Sequence, residues 1–283
     1  MNTRHTISSI VSSRLARLAV CALIVCASLT ALAQQIPLSM SASGALYEMQ
    51  PVAGVPSRIV AVQKKWTQTS ASGVADVAVS GAGTIWIAGM NGTIWFSKDG
   101  GVNWTQTAAT GFNRVSAGTD SRVYAVGANG TLWKYNGASW TQTTASGIGD
   151  VAVTQTGTVW AVGLNGTVWF SNNDGASFTQ TAASGFSSIA ATDSQVWSVG
   201  ANGTLWEYDG STWSQTTASG MTDVAVGTNE QIWVAGINGT IWFSVDNGAS
   251  FTITDASGFR RVAIGRDNTA WGVGNNGTLW KYQ

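Results

Sequence analysis

The chain has two cysteines and a single histidine, and all three lie near its N-terminus, at Cys21, Cys26 and His5. Residues 1–33 combine basic side chains with an apolar stretch that ends in Ala-Leu-Ala. This combination is typical of a secretory signal peptide, and it is too short at its core to make a good membrane span. We expect cleavage after Ala33 and a secreted or periplasmic product that does not span a membrane.

Beyond residue 33 the chain therefore lacks the side chains on which many active sites depend. Without histidine and cysteine there is no imidazole base, no thiol nucleophile and none of the usual zinc ligands. We expect no catalytic residues, no metal and no cofactor. The protein would also have no disulfides, so its stability must come from packing.

Charge is equally scarce, because Asp, Glu, Lys and Arg together make up 10% of the chain. Basic and acidic groups number 14 each, and three of the basic ones, Arg4, Arg14 and Arg17, belong to the leader. The remainder is slightly acidic and has no basic run. This charge pattern argues against nucleic acid as a partner, since nucleic-acid binding depends on neutralising phosphates.

Proline is limited to Pro37, Pro51 and Pro56, all within residues 34–65. We interpret this segment as an N-terminal arm or linker. Residues 66–283 contain no proline, and there the phrase Asn-Gly-Thr-aliphatic-Trp recurs at intervals of 36 to 38 residues. Its copies start at Asn91, Asn129, Asn165, Asn202, Asn238 and Asn276. Such a period indicates a solenoid or a propeller.

Each copy reads as four short strands. In the first they are predicted at 76–79, 84–88, 93–97 and 104–107, with a tight Asn-Gly hairpin between the second and third. Apolar residues face both sides of the middle strands, so both faces of each small sheet must be covered. This pattern predicts an all-β, six-bladed β-propeller of four-stranded antiparallel blades.

The two ends of the repeat region are complementary. The last copy stops at Gln283 without a fourth strand, and the phrase Trp66–Thr69 is a fourth strand without a blade before it. We expect these segments to pair and close the ring, which hides a sheet edge. A degenerate seventh blade formed from residues 34–65 is the lesser alternative.

Consecutive copies are not identical. Odd copies carry a turn of the form Ser-x-Asp-x-Gly-x-x-Trp, the Asp-box, at 97–104, with variants at 171–178 and 244–251. Even copies place Lys or Glu followed by Tyr in the third strand, where odd copies have Phe-Ser. The unit is therefore a pair of blades used three times, with two kinds of groove between blades.

The start of the innermost strand alternates too. Odd copies have Asp76, Asp150 and Asp223, and even copies have Arg114, Ser188 and Arg261. A ring would bring these residues to the mouth of its channel. We expect a solvated or salt-bridged rim there in preference to a calcium site.

The segments 150–153, 157–162, 165–169 and 125–137 resemble tectonin repeats, and the resemblance extends over residues 66–283. The Asp-box turns of the odd copies instead resemble sialidase-type repeats and the propeller assembly factors of photosynthetic membranes. Tectonin propellers are typically lectins with shallow sugar sites between blades. The resemblance thus implies carbohydrate recognition without catalysis.

On these grounds the sequence predicts a multivalent lectin that binds glycans of a cell surface or envelope. The candidate sugar-binding residues are the third strands of the even copies: Trp133, Lys134, Tyr135, Trp206, Glu207, Tyr208, Trp280, Lys281 and Tyr282. The alternative is a scaffold that binds a protein partner through a face that carries Met90, Leu164 and Ile237.

Overall fold

The computed structural model describes residues 39–40, 46–49, 61–227 and 231–283. The chain divides into two compact units, residues 1–63 and 64–283. In the first, β1 (Ser39–Met40), β2 (Leu46–Met49) and β3 (Ala61–Gln63) form an antiparallel sheet in the order β1-β2-β3. The predicted signal peptide, residues 1–33, lies outside the described residues. Within the described part of the chain, no helix has the length and apolar character of a membrane span.

The second unit is the predicted six-bladed propeller, built from six four-stranded antiparallel sheets. Blade 1 contains β5 (Val74–Val79), β6 (Ile85–Gly89), β7 (Ile94–Ser97) and β8 (Thr105–Gln106). Blade 2 contains β9 (Phe112–Thr119), β10 (Arg122–Gly127), β11 (Leu132–Tyr135) and β12 (Trp140–Gln142). Blade 3 contains β13 (Ile148–Val153), β14 (Val159–Gly163), β15 (Val168–Ser171) and β16 (Thr179–Gln180).

The second half of the ring repeats this plan. Blade 4 contains β17 (Phe186–Ala191), β18 (Val196–Gly200), β19 (Leu205–Tyr208) and β20 (Trp213–Gln215). Blade 5 contains β21 (Met221–Val226), β22 (Ile232–Gly236), β23 (Ile241–Ser244) and β24 (Thr252–Ile253). Blade 6 contains β25 (Phe259–Ile264), β26 (Ala270–Gly274) and β27 (Leu279–Tyr282), and its fourth strand is β4 (Trp66–Gln68).

This last strand confirms the predicted closure of the ring. β4 pairs antiparallel with β27, and Trp66 lies opposite Tyr282. The amide of Lys65 also donates to the carbonyl of Gln283 at 2.8 Å. The first strands of successive blades contact one another all the way round, β25 against β5 included, and they line a central channel.

The recurring Asn-Gly-Thr-aliphatic-Trp phrase is a local hydrogen-bond unit. In blade 1 the side-chain oxygen of Asn91 accepts from the Thr93 hydroxyl at 2.6 Å and from its amide at 3.2 Å. The Thr93 hydroxyl oxygen accepts from the indole N–H of Trp95 at 2.8 Å. Gly92 has a φ of 83°, which only glycine adopts readily. All six turns lie at one end of the ring, which we name the Asn-Gly face; the Asp-box turns lie at the opposite end, the Asp-box face.

The seams between blades alternate, as the sequence predicts. Each odd-to-even seam is filled by an aromatic cluster: in the seam between blades 1 and 2, Trp86 contacts Tyr135 with ring centroids 5.5 Å apart, and Tyr135 contacts Trp140 at 5.2 Å. At even-to-odd seams an Asp-box turn covers the buried aromatic residue of the preceding blade. In the seam between blades 2 and 3, the hydroxyl of Tyr124 donates to the Asp174 side chain at 3.0 Å.

Candidate functional site

The even-blade residues predicted to bind sugar are engaged in contacts of the ring itself. The indole N–H groups of Trp133, Trp206 and Trp280 each donate to the threonine of their own Asn-Gly turn. The three tyrosines, Tyr135, Tyr208 and Tyr282, pack against the buried tryptophan of the preceding blade. Their rings are therefore part of the aromatic clusters described above.

The charged members of that set contact the next blade. Lys134 bonds to Asp174 in the Asp-box turn of blade 3. Glu207 accepts from the Asn247 amide at 2.7 Å in the corresponding turn of blade 5. Lys281 instead lies over the ring of Trp271, 5.7 Å from its centroid. The structure thus distributes the nine residues over separate seams and does not bring them together in one pocket.

A ring of six residues, five of them charged, lines the channel. Each inner strand contributes one residue at an equivalent position: Asp76, Arg114, Asp150, Ser188, Asp223 and Arg261, here named the carboxylate ring. Each carboxylate accepts a hydrogen bond from a backbone amide of the following blade. The donors are Val115 for Asp76 at 2.9 Å, Ile189 for Asp150 at 3.0 Å and Val262 for Asp223 at 2.9 Å. The acids therefore tie the odd-to-even seams together at the channel wall.

The side chains of this ring also pair with one another. Arg261 lies 2.8 Å from Asp223 and 3.8 Å from Asp76, and Arg114 lies 3.5 Å from Asp150. Ser188, which stands where two even blades have arginine, donates to Asp223 at 2.9 Å. The rim is salt-bridged, and within the described residues no cluster of His, Cys, Asp or Glu is arranged to hold a metal ion.

Burial makes these carboxyl groups hold their protons more strongly. It raises the pKa of Asp150 to about 6, although the nearby Arg114 opposes this shift. Burial also raises the pKa of Asp223 well above its usual value, and the charges of Asp150 and Asp76 raise it further. The pKa values rise because a negative charge is costly in the buried, low-dielectric wall of the channel. Around Ser188 the anions also outnumber the cations that could offset this cost.

A cavity of about 480 Å³ opens where the channel meets the Asn-Gly face, and we name it the mouth pocket. Arg114, Arg260 and Arg261 line it, and no carboxylate is among its described lining residues. The Nε groups of Arg114 and Arg260 are buried and donate no hydrogen bond within the described structure, although the Arg114 Nε lies 3.5 Å from a carboxylate oxygen of Asp150. Guanidinium groups around a cavity are suited to a carboxylate, which can accept two parallel hydrogen bonds from one of them.

Apolar side chains surround this basic centre. Ile237 lines the mouth pocket and is 80% exposed, and its equivalents Leu164 and Met90 are 73% and 55% exposed. Leu164 borders a further cavity of about 460 Å³, and Met90 one of about 390 Å³. The Asn-Gly face therefore presents cations at its centre and three aliphatic side chains, one on each odd blade, around them.

The other end of the channel is less suited to an outside ligand. Its cavity, about 500 Å³, contains Gln155 and Arg266. The Nη1 of Arg266 donates to the side chain of Gln155 at 3.1 Å, so a side chain of blade 6 reaches one of blade 3 across the opening. Arg122 also donates to the Gln155 carbonyl at 2.6 Å. These donors are already paired within the protein.

Comparison with known proteins extends this description. A family model described as Photosynthesis system II assembly factor YCF48 matches residues 40–136 and 209–283, which is more than half of the chain. The chain belongs to this family. No curated protein matches the chain.

Solved structures with the same fold include family members. YCF48 from Cyanidioschyzon merolae is 16% identical, with a TM-score of 0.54 over 77% of this chain and 98% of that one. A structure of YCF48 bound to D1 peptide is also 16% identical, with a TM-score of 0.54 over 87% of this chain and 88% of that one. A streptogramin B lyase, 14% identical, matches 78% of this chain and 97% of its own with a TM-score of 0.54.

Membership of the YCF48 family corrects three expectations from the sequence. The lectin interpretation is wrong, as is the prediction of glycans as partners, because the family is one of assembly factors and a member binds a peptide. The tectonin resemblance is not supported either. It arose from tryptophan-rich strands, and in this ring those tryptophans pack within and between blades, which any propeller needs.

Sequence reasoning also missed the mouth pocket. Arg260 was not singled out, although it precedes Arg261 directly and two adjacent arginines at the start of an inner strand are unusual in a chain with so few charges. The alternative interpretation of the sequence places Ile237 on a partner-binding face, but its position in one pocket with Arg114 depends on the closed ring.

Proposed function

We propose that this YCF48-family protein is a non-catalytic, extracytoplasmic assembly factor that binds an exposed segment of a protein partner on its Asn-Gly face. The observation that carries the proposal is the mouth pocket, where Arg114, Arg260 and Arg261 converge beside the exposed Ile237. Support comes from the family itself and from the member whose structure contains a D1 peptide.

The chemistry of the face favours a polypeptide over a sugar. A polypeptide segment can supply a carboxylate, from a side chain or a C-terminus, together with aliphatic side chains a few residues away. The carboxylate would accept hydrogen bonds from the guanidinium groups of Arg114 and Arg260 that line the pocket. Aliphatic side chains would cover Ile237 and the cavities beside Leu164 and Met90, removing apolar surface from water.

The residues that line the mouth pocket also fit a binding role without catalysis. Its described lining offers arginines, asparagines and a threonine, and neither a histidine nor a carboxylate to transfer a proton. The similarity to a streptogramin B lyase is a similarity of fold at 14% identity. The extracytoplasmic location rests on the signal-like sequence of residues 1–33.

Peptide binding to purified variants tests the proposal. The probe is a short fluorescent peptide of alternating leucine and glutamate with a free C-terminal carboxylate, followed by fluorescence anisotropy. We expect Arg260→Gln to weaken binding about tenfold, since a hydrogen bond to a charged partner is lost, and Ile237→Ser to weaken it by about fivefold.

Each variant has a matched control on the opposite face. Arg266→Gln removes a guanidinium at the other channel mouth, and Val102→Ser removes an apolar side chain that is 70% exposed in an Asp-box turn. Both should bind the peptide as the wild type does. Equal losses in the variants and their controls would show non-specific charge attraction and would reject the mouth pocket as the site.

A further inference from the structure

The carboxylate ring and the mouth pocket share two side chains. Arg114 and Arg261 line the pocket and also pair with the ring carboxylates, at 3.5 Å from Asp150 and 2.8 Å from Asp223. An anion that binds in the pocket therefore shares these two arginines with the ring carboxylates that they already neutralise. The two sites are electrostatically coupled through the arginines that they share.

The ring is irregular at one position. Blades 2 and 6 supply Arg114 and Arg261, but blade 4 supplies the uncharged Ser188 between Asp150 and Asp223. A further cation, Arg260 on β25, donates to the carbonyl of Val74. The sector formed by β13, β17 and β21 thus contains two buried carboxylates without an arginine between them.

We propose that the carboxylate ring takes up a proton when an anionic polypeptide segment binds in the mouth pocket, so that partner binding strengthens as the pH falls. This inference rests on the function proposed above. Bound anionic charge near Arg114 and Arg261 offsets part of the positive charge that keeps the ring carboxylates ionised. The carboxylate least well neutralised, in the sector of Ser188, then accepts a proton.

The direction of the effect follows from linkage. A group whose pKa is higher in the complex than in the free protein binds a proton as the ligand binds, and lower pH then favours the complex. Burial already raises the pKa of Asp150 to about 6, so protons exchange with the ring close to neutral pH. The carboxylates of the ligand, with ordinary pKa values of about 4, stay ionised above about pH 5.5.

The test measures binding of the same leucine-glutamate peptide to the intact protein between about pH 7.5 and about pH 5.5. Linkage to one proton allows at most tenfold per pH unit, and we expect affinity to rise about fivefold to tenfold over the range. Calorimetry in two buffers with different ionisation enthalpies should show proton uptake on binding near pH 6.5, about half a proton or more per peptide.

Two substitutions locate the titrating group. Ser188→Arg supplies the arginine that the equivalent positions of blades 2 and 6 already have, and Asp150→Asn removes one of the two carboxylates. Each should reduce the pH dependence to about twofold or less and suppress proton uptake. The control is Asp209→Asn in an exposed turn, where blade 2 has Asn136 at the equivalent position; it should keep the wild-type pH dependence.

The outcomes separate this inference from the proposed function. Binding that is unaffected by pH and takes up no proton overturns proton linkage, while Arg260→Gln can still identify the pocket. A pH dependence that survives in both ring variants places the titrating group elsewhere and overturns the ring. Absence of binding at every pH rejects the proposed site and the inference with it.

Discussion

Trp66→Ala should destabilise the propeller by about 4 kcal/mol, as expected for removal of a large buried aromatic side chain. Trp66 lies on β4, the strand that completes blade 6. Its ring centroid lies 4.9 Å from that of Phe259 and 5.3 Å from that of Tyr282. Its indole N–H donates to Thr254 in blade 5 at 3.0 Å. The substitution therefore leaves a cavity in the seam between blades 5 and 6 and weakens the packing of β4, the strand that closes the ring. Urea unfolding followed by tryptophan fluorescence measures the loss.

Trp213→Ala provides the matched control, because Trp213 has the same position in the seam between blades 3 and 4. It packs against Phe186 and Tyr208 at similar distances, 5.0 and 5.1 Å. Its indole nitrogen has no hydrogen-bond partner within the described structure. The strands of blade 4 also follow one another in the chain, so Trp213 does not close the ring. We expect a cost of about 2–3 kcal/mol for this packing alone. Equal costs for the two substitutions would contradict a special contribution from ring closure.

Arg261→Met should cost about 3–5 kcal/mol at neutral pH, because it leaves buried carboxylates without their cation. The guanidinium contacts Asp223 at 2.8 Å and Asp76 at 3.8 Å, and its side chain is only 14% exposed. Methionine retains most of the volume, so the cavity contribution is small. The free energy of unfolding is again the quantity to measure.

The pH dependence of this loss identifies its electrostatic origin. Without Arg261 the pKa of Asp223, already raised by burial, rises further above its value in the unfolded chain. A raised pKa in the folded state means that stability is greatest at low pH and is lost as the pH rises through that pKa. The deficit should therefore be larger at about pH 7.5 than at about pH 5.

Arg122→Met is the control for Arg261→Met. Arg122 contacts Asp174 at 3.1 Å on the Asp-box face, where both side chains are about one-third exposed and Lys134 also pairs with the aspartate. Exposed pairs contribute little, and the hydrogen bond from Arg122 to the Gln155 carbonyl contributes about 1 kcal/mol, so we expect a loss of about 1–2 kcal/mol. A loss from Arg261→Met that is independent of pH would attribute the destabilisation to packing and not to buried charge.

Much of the fold could be predicted because its determinants are local and repeated. The unit formed by Asn91, Thr93 and Trp95 is specified within five residues, and its recurrence fixes the number of blades. Closure by β4 could also be predicted, since an unpaired strand at one end and a missing strand at the other have one obvious solution. The alternation of odd and even copies correctly indicated two kinds of seam.

The candidate site could not be predicted in the same way. Trp133 and Tyr135 have the composition of a sugar platform, but only their three-dimensional neighbours show that their polar groups and ring faces are used within the ring. Composition indicates what a side chain can contact. It does not indicate whether a neighbouring blade already makes that contact.

The sequence by itself determined the repeat, the strands and turns of each blade, and the closed ring of six. It also determined that no histidine or cysteine follows residue 26. Only the tertiary structure decided which face carries the mouth pocket, because Arg114 and Arg260 lie 146 positions apart in the chain and converge when the closed ring places blades 2 and 6 on either side of blade 1. The physical reason is that strand and turn formation depend on neighbours in sequence. A site at the channel mouth depends on which inner strands the closed ring brings together.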